Sequence, residues 1–462
     1  MTEIKKWTNH FFYNQTSIYP LVTFRIIFGL MMCFSTIRFM NKGWVEDLYV
    51  KPRFFFSYYG FDWVKPLNED GMIFLFYLMI VLSIFIALGF FYKVSTSSFF
   101  LIFTYIELID KTNYLNHYYF VSLISFILIF IPAHKHFSFD CFFRITKPKT
   151  TTPVWSINFI KFQIAIVYVF AGIAKLNWHW LFEAQPLFNW LKHQSDIPLI
   201  GKYLTYDITA YIFSWGGALF DLFIIFFLIN KRSRIIAYLF IVIFHVLTAL
   251  MFPIGVFPIV MIFSTLIFFS DNFHRIIIDI ISTITLKLKT EELKEKQSSS
   301  FNTNLTLFFF AIYFIAQLLI PFRYILYPGK LFWTEQGYRF SWRVMLIEKA
   351  GYSQFYVHED KRDRKLLIEN KTFLTDQQIK MMSTQPDMIL QYAHFLSEEF
   401  KDSTFIESNG EIIKLSSNPK ITANIQVSLF NEGSRPFIDQ NINLAAQSRG
   451  FQHKSWILPY EN

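Results

Sequence analysis

Two apolar stretches of the chain each carry residues able to move protons. LIDKTNYLNHYYFVSL (Leu108–Leu123) gathers Asp110, Lys111, Asn113, Asn116 and His117 at the mouth of an apolar segment. KFQIAIVYVFAGIAKLNWHW (Lys161–Trp180) runs from aliphatic and aromatic residues straight into Lys175. An ionisable side chain at membrane depth is costly, so it marks a functional site by default. Lys175 has two readings. It can snorkel to the interface beside an aromatic belt, or it can be a desolvated amine that burial keeps neutral and able to act as a general base near pH 7. Gly172, with Ala171 and Ala174 beside it, would let a second helix or a flat ligand approach closely. His117 either caps or pairs at a helix end or, since histidine titrates near neutrality, assists a reacting group. Asp110 and Lys111 can pair with each other, or Asp110 can orient His117 or Lys175.

Other polar residues sit in apolar surroundings. Arg25, Asp221 and His245 fall inside three different apolar runs, and interhelical pairing in a polar interior is the expected role of each. His134 and His136 form an HxH in a basic loop with no third ligand beside them, so no metal site is expected. The chain shows no glycine-rich phosphate loop, no HExxH and no nucleophile elbow.

The elements that must position these residues are membrane helices. Of 462 residues, 53% are hydrophobic and only 17% charged, against about 25% charged in a soluble domain. Apolar runs of about 20 residues then imply a mainly α, polytopic helical membrane protein. The expected runs are Ile18–Phe39, Met72–Phe91, Ser95–Ile109, Leu115–Pro132, Val154–Ala174, Thr209–Leu228, Arg234–Met251, Ile254–Phe269 and Asn302–Pro321, about nine spans in all. The third and eighth are short enough to be tilted, re-entrant or merged with a neighbour. The first follows a polar lead-in and lacks a small-residue cleavage site, so it reads as a signal-anchor helix.

Charge sets the orientation. Lys5, Lys6, Lys93, Lys135, Arg144, Lys147, Lys149, Lys231, Arg232, Arg234, Arg275, Lys287, Lys289, Lys294 and Lys296 all fall on one side of such a chain, against roughly half as many on the other. The positive-inside bias places the N-terminus in the cytoplasm, with His117, Lys175 and everything after the last span on the extracytoplasmic side. It also accounts for the net charge of +9 without nucleic acid, since no basic stretch interleaves with aromatics on a soluble surface. Cys33 and Cys141 form no CxxC, which argues against a disulfide framework or thiolate metal site. The charged stretch Ser270–Ser300, ending in QSSS, reads as a linker or surface helix.

After Pro321 the pattern changes. SQFYVHED, RKLLIEN and NIQVSLF alternate like strands, and one helical stretch, DQQIKMMSTQPDMILQYAHFLSEEF, lies among them. Residues 1–328 are therefore expected to form the helical membrane domain, and 329–462 a small α+β domain outside the membrane.

Several stretches, in order along nearly the whole chain, resemble the vitamin K-dependent γ-glutamyl carboxylase family, whose membrane part is called the HTTM domain. FRIIFGLMM and GFFYKVS resemble its first helix and its second-to-third connection. LIDKTNYLNHYYF resembles its DKTxxxNH motif, and IVYVFAGIAKLNWHW its apolar run into a catalytic lysine. FHVLTALMFPIGVFPIVM, QGYRFSW, PDMILQYAHFL and RPFIDQNINLA resemble further family segments downstream.

The resemblance places the family's catalytic lysine on Lys175 and its catalytic histidine on His117. It implies that the lysine deprotonates reduced vitamin K, a menaquinone-type naphthoquinol. O2 then converts the quinol through a strongly basic alkoxide to the 2,3-epoxide. That base removes a glutamyl γ-hydrogen, the histidine helps, and the carbanion captures CO2. No side chain is basic enough for that carbon, so the base must arise on a cosubstrate, and an apolar aromatic cavity suits an isoprenoid quinone. Asn116, Tyr168, Tyr338 and Trp342 are candidates for lining the site, with a glutamate-containing protein or peptide and the membrane lipid or quinone as partners. Ala174 stands where the family commonly has a second lysine, and Ile347 and Lys349 stand where vertebrate members carry His and Arg. The sequence also ends with KSWILPYEN, short of the extension that vertebrate members carry. These departures bear on the glutamyl half of the reaction, so two other readings stay open. One is a quinol epoxidase or oxidase with another acceptor, and the other a non-catalytic lipid- or quinone-binding membrane protein.

Overall fold

The computed structural model describes residues 14–284, 303–359, 364–406 and 412–460. Lys5, Lys6, Lys287, Lys289, Lys294, Lys296 and the QSSS stretch lie outside the described residues.

Each helix starts and stops for a local reason. Helix α1 (Tyr19–Asn41) carries Pro20 in its first turn, where no backbone donor is needed. Asn68 caps α2 (Glu69–Leu88) by accepting from the Gly71 N–H, and Gly89 ends it in the left-handed region. The start of α3 (Tyr92–Ile109) is capped from a distance, the Asp140 carboxylate accepting from the Phe91 and Tyr92 N–H groups at 2.8 and 3.1 Å. There follow α4 (Asn116–Phe130), α5 (Val154–Lys175), α6 (Asp207–Ile229), α7 (Arg234–Met251), α8 (Phe257–Ser264), α9 (Asp271–Ile284) and α10 (Thr303–Leu319). A short antiparallel pair, β1 (Gln15–Ser17) with β2 (Thr151–Pro153), ties the entry of α1 to that of α5.

Among the described residues, six helical segments are long and apolar enough to cross a membrane: α1, α2, α5, α6, α7 and Thr306–Leu326. The eighth expected run forms the short helical segment Phe257–Phe268, which meets the following helix Asp271–Thr283 at a bend of 114°. The third and fourth runs are the 18-residue α3 and the 15-residue α4. Arg25, fully buried in α1, donates to the carbonyls of Ala133 and Phe137 at 3.1 and 2.6 Å and so pins the turn after α4. The HxH is used in packing: His134 stacks on Tyr92 and His136 meets the edge of Tyr19.

The C-terminal unit is built on a four-stranded antiparallel sheet in the order β4–β3–β7–β8, with β3 Lys349–His358, β4 Lys365–Ile368, β7 Ile421–Leu429 and β8 Ser434–Pro436. A separate hairpin joins β5 (Thr404–Ile406) to β6 (Ile412–Lys414). Along β7, Ile421, Ala423, Ile425, Val427 and Leu429 are all buried, the period of two expected when one sheet face meets a core. The expected single helical stretch is in fact two helices, α11 (Asp376–Met382) and α12 (Pro386–Glu399). Pro386 is the reason: it forces Gln385 into an extended conformation, with φ −118° and ψ 110°, and opens a new helix. The core under this sheet runs on without a break to Ala174, Trp180, Leu187 and Met251 at the ends of membrane helices.

Candidate active site

Lys175 is the last residue of α5. Its ammonium meets the Asp221 carboxylate of α6 at 2.6 Å, with only 7% and 8% of the two side chains exposed. The amine also reaches the Ala171 carbonyl at 3.4 Å and lies 5.2 Å from the centre of the Trp180 ring. The pair exists because α5 and α6 touch at Gly172, where a Cβ would stand 2.7 Å from the backbone nitrogen and side chain of Leu222. Leu222 follows Asp221, so a residue with no side chain on α5 brings the acid of α6 to the lysine one turn further along.

Two turns before Lys175, on the same helix face, the Tyr168 hydroxyl is 2.9 Å from His245 Nε2 on α7. His245 is 2% exposed, and its Nδ1 has no hydrogen-bond partner among the described residues. These four polar side chains converge on one cavity of about 80 Å³. Its other walls are apolar or aromatic, chiefly Trp180, Phe213, Phe244, Phe257, Met261 and Met345. Phe220 stacks on Phe244 behind it at 4.1 Å.

His117, buried at the start of α4, does not line this cavity. It packs on Tyr118 and on Phe257, whose ring also meets His245, at centroid distances of 6.1 Å for His117 and 5.8 Å for His245. Phe257 is thus shared between the two histidines. Asn116 accepts from the Tyr114 hydroxyl at 3.1 Å and donates to the Arg343 carbonyl at 3.2 Å, which fastens the segment that follows the last span. In that segment Glu335, Phe340, Trp342 and Met345 all have φ between 51° and 60°, a conformation side-chain-bearing residues adopt only where their surroundings impose it. Trp342 is 1% exposed and stacks on Tyr119 at 4.9 Å. Of the six residues singled out from sequence, Lys175 and Tyr168 share the cavity. Trp342 and Asn116 hold the segment whose Val344 and Met345 form one of its walls.

Tyr338 belongs elsewhere, to a second and larger cavity of about 490 Å³ at the junction with the C-terminal unit. Lys111, Arg323, Arg339, Arg449 and Lys454 line it, against Glu335 and Asp387. Asp110 and Lys111 do not pair with each other. Asp110 accepts from the Thr112 N–H and hydroxyl and from Gln378 Nε2 of α11, while Lys111 donates to Asp387 and Gln391 of α12 at 2.9 and 3.0 Å. They fasten the C-terminal unit to the membrane helices and do not reach His117 or Lys175. Burial opposes ionisation of Asp387, but Arg339 and Lys111 outweigh it and hold its carboxyl well below the usual range. Burial brings the Lys111 amine down to about 8, with Asp387 acting against it. Elsewhere His179, Glu183 and Glu432 bring three possible metal ligand atoms within 4.8 Å of one another.

Asp221 and His245, expected from sequence to pair between helices, do pair with Lys175 and Tyr168 of α5. What the sequence did not join is that both also line the Lys175 cavity. The signal that could have joined them to Lys175 was the GxxK spacing of Gly172 and Lys175, which puts the contact point of α5 one turn from its lysine.

Comparison with known proteins agrees with this architecture. Residues 13–273 match the model of the HTTM domain, and residues 302–462 match that of the vitamin K-dependent gamma-carboxylase lumenal domain. No solved structure matches the chain significantly. The chain therefore belongs to the vitamin K-dependent gamma-carboxylase family.

Proposed function

We propose that this family member couples oxygenation of a reduced naphthoquinone to its epoxide with carboxylation of glutamyl side chains, Lys175 being the base toward the quinol. The observation that carries the reading is the Lys175–Asp221 pair, buried at one wall of an apolar, aromatic cavity that also holds the Tyr168–His245 pair. A flat aromatic diol fits such a donor set: ring walls for its faces, an amine for one hydroxyl, and the unpartnered His245 Nδ1 for an oxygen. When bound, the quinol and O2 supply the strong base that no side chain provides.

The chain's own residues do the rest. Asp221 orients the Lys175 amine and, at 2.6 Å, can take its proton, which leaves Nζ free to accept one from a quinol hydroxyl. Tyr168 and His245 fix the ligand's position, and the apolar walls exclude water. His117, across Phe257 from His245, is the helper toward the glutamyl group. The junction cavity, with five cationic side chains against two acidic ones, suits a glutamate-containing peptide. The N-terminus is cytoplasmic and the C-terminal unit extracytoplasmic in this reading, consistent with the loop charges.

One observation favours quinol oxidation with a different acceptor. Lys349, at a position where vertebrate members carry Arg, spends its amine on Glu335, the Trp333 carbonyl and the Thr384 carbonyl, each at 2.9 Å. It has nothing left to offer a substrate.

The deciding experiment measures epoxide from a reduced naphthoquinone in proteoliposomes, with a glutamyl peptide and labelled bicarbonate in the same tube. Wild type is expected to form epoxide and label the peptide, and Lys175→Ala to do neither. Epoxide without label would transfer the proposal to another acceptor. No epoxide from folded protein would refute the quinol chemistry.

A further inference from the structure

Arg343 is 9% exposed and lines a third cavity, of about 300 Å³, between the end of α5 and the C-terminal unit. Among the described residues it makes no ion pair, and its Nε has no hydrogen-bond partner. Its guanidinium lies over the Tyr324 ring, 4.4 Å from the centroid. Buried arginines are almost always paired, because taking a charge out of water costs more than a contact with one aromatic ring returns. Elsewhere the part-buried Arg339 has Asp387, and the fully buried Arg25 donates to two carbonyls. Beyond the Tyr324 side chain, Arg343 therefore has guanidinium N–H groups to offer an anion that enters the cavity.

The walls identify what carries that anion. Phe170 and Ile173 come from α5, and Pro321 and Phe322 from the end of the span Thr306–Leu326. One side of the rim is apolar and exposed, with Leu176 at 54% and Phe322 at 40%, while Asn177, His179 and Lys330 give the other side polar groups. Such surface, at the ends of two spanning helices, faces acyl chains and head groups. A planar guanidinium beneath it matches a phosphate. An acidic peptide is better served by the junction cavity, which has several cations.

We propose that this cavity binds an anionic phospholipid, Arg343 holding the phosphate and Phe170, Ile173 and Phe322 packing the first part of an acyl chain. The test uses the full chain in dodecyl maltoside, titrated with phosphatidylglycerol. Diacylglycerol of the same chains, inorganic phosphate and a glutamate-rich peptide run as separate arms, and thermal midpoint and native mass spectrometry are the readouts. Phosphatidylglycerol is expected to raise the wild-type midpoint by several degrees. Arg343→Met should bind it at least about tenfold more weakly while matching the wild-type midpoint without lipid, since it also removes an uncompensated charge. Arg343→Lys keeps the charge but loses the two-pronged donor, and should fall between the two; it carries the test if Arg343→Met fails to fold. Equal lipid binding by wild type and both variants would overturn the proposal. So would stabilisation by inorganic phosphate alone, which would mean a free-anion site, or by the peptide and not the lipid.

Discussion

Lys175 and Asp221 offer a direct test of the site, because each is the other's only ion-pair partner among the described residues. Replacing Lys175 by Met strands a buried carboxylate, and replacing Asp221 by Asn strands a buried ammonium. Breaking a buried pair from one side costs about 3–5 kcal/mol. If the two groups were independent, the double variant would lose about 6–10 kcal/mol. As a pair, both charges leave together, and only the cost of an under-bonded amide remains, about 1–3 kcal/mol. The double variant should thus be no less stable than either single one. The assay is a double-mutant cycle on thermal midpoints in detergent at one fixed scan rate, where each single change should lower the midpoint by on the order of 10 °C. Losses in the double variant that equal the sum of the singles to within about 0.5 kcal/mol would refute the pairing, and with it the role given to Asp221.

Gly172→Ala should destabilise by about 1–3 kcal/mol through overpacking on Leu222, and should lower quinol turnover as well by displacing Asp221 from Lys175; thermal midpoint and epoxide formation read the two effects. The Asp387 clamp gives a pH dependence of known sign. Its carboxyl titrates lower in the folded protein than the ordinary 3.8, so its contribution is full above about pH 4 and is lost as the pH falls through the folded value. Hydrogen-exchange protection of α12, corrected for the intrinsic rate at each pH, should therefore fall on acidification below pH 4 and stay flat through neutrality. Asp387→Asn should raise exchange at neutral pH and remove the acid step.

Much of the site could be read locally. An apolar run that ends in lysine needs no tertiary information, and neither does the alternation of β7. Pro386 should have been read as a helix break, since the restriction it puts on Gln385 is local too. Asp110 and Lys111 were a different kind of error. Adjacent opposite charges invite a local pairing, yet their partners Gln378, Asp387 and Gln391 lie more than 260 positions away in the chain. No local rule carries that information.

Hydropathy and side-chain chemistry by themselves therefore determined that this is a membrane protein, where its main helices run, and that an apolar run ends in Lys175. They did so because burial of apolar residues and the price of a charge in hydrocarbon depend on composition over a few turns. The tertiary structure alone decided which partners the lysine has. That choice depends on where α5, α6 and α7 cross, on Gly172 admitting Leu222, and on a strained segment from beyond the last span supplying Val344 and Met345 as a wall. Distances of a few ångströms between helices far apart in sequence set that chemistry, and only packing fixes them.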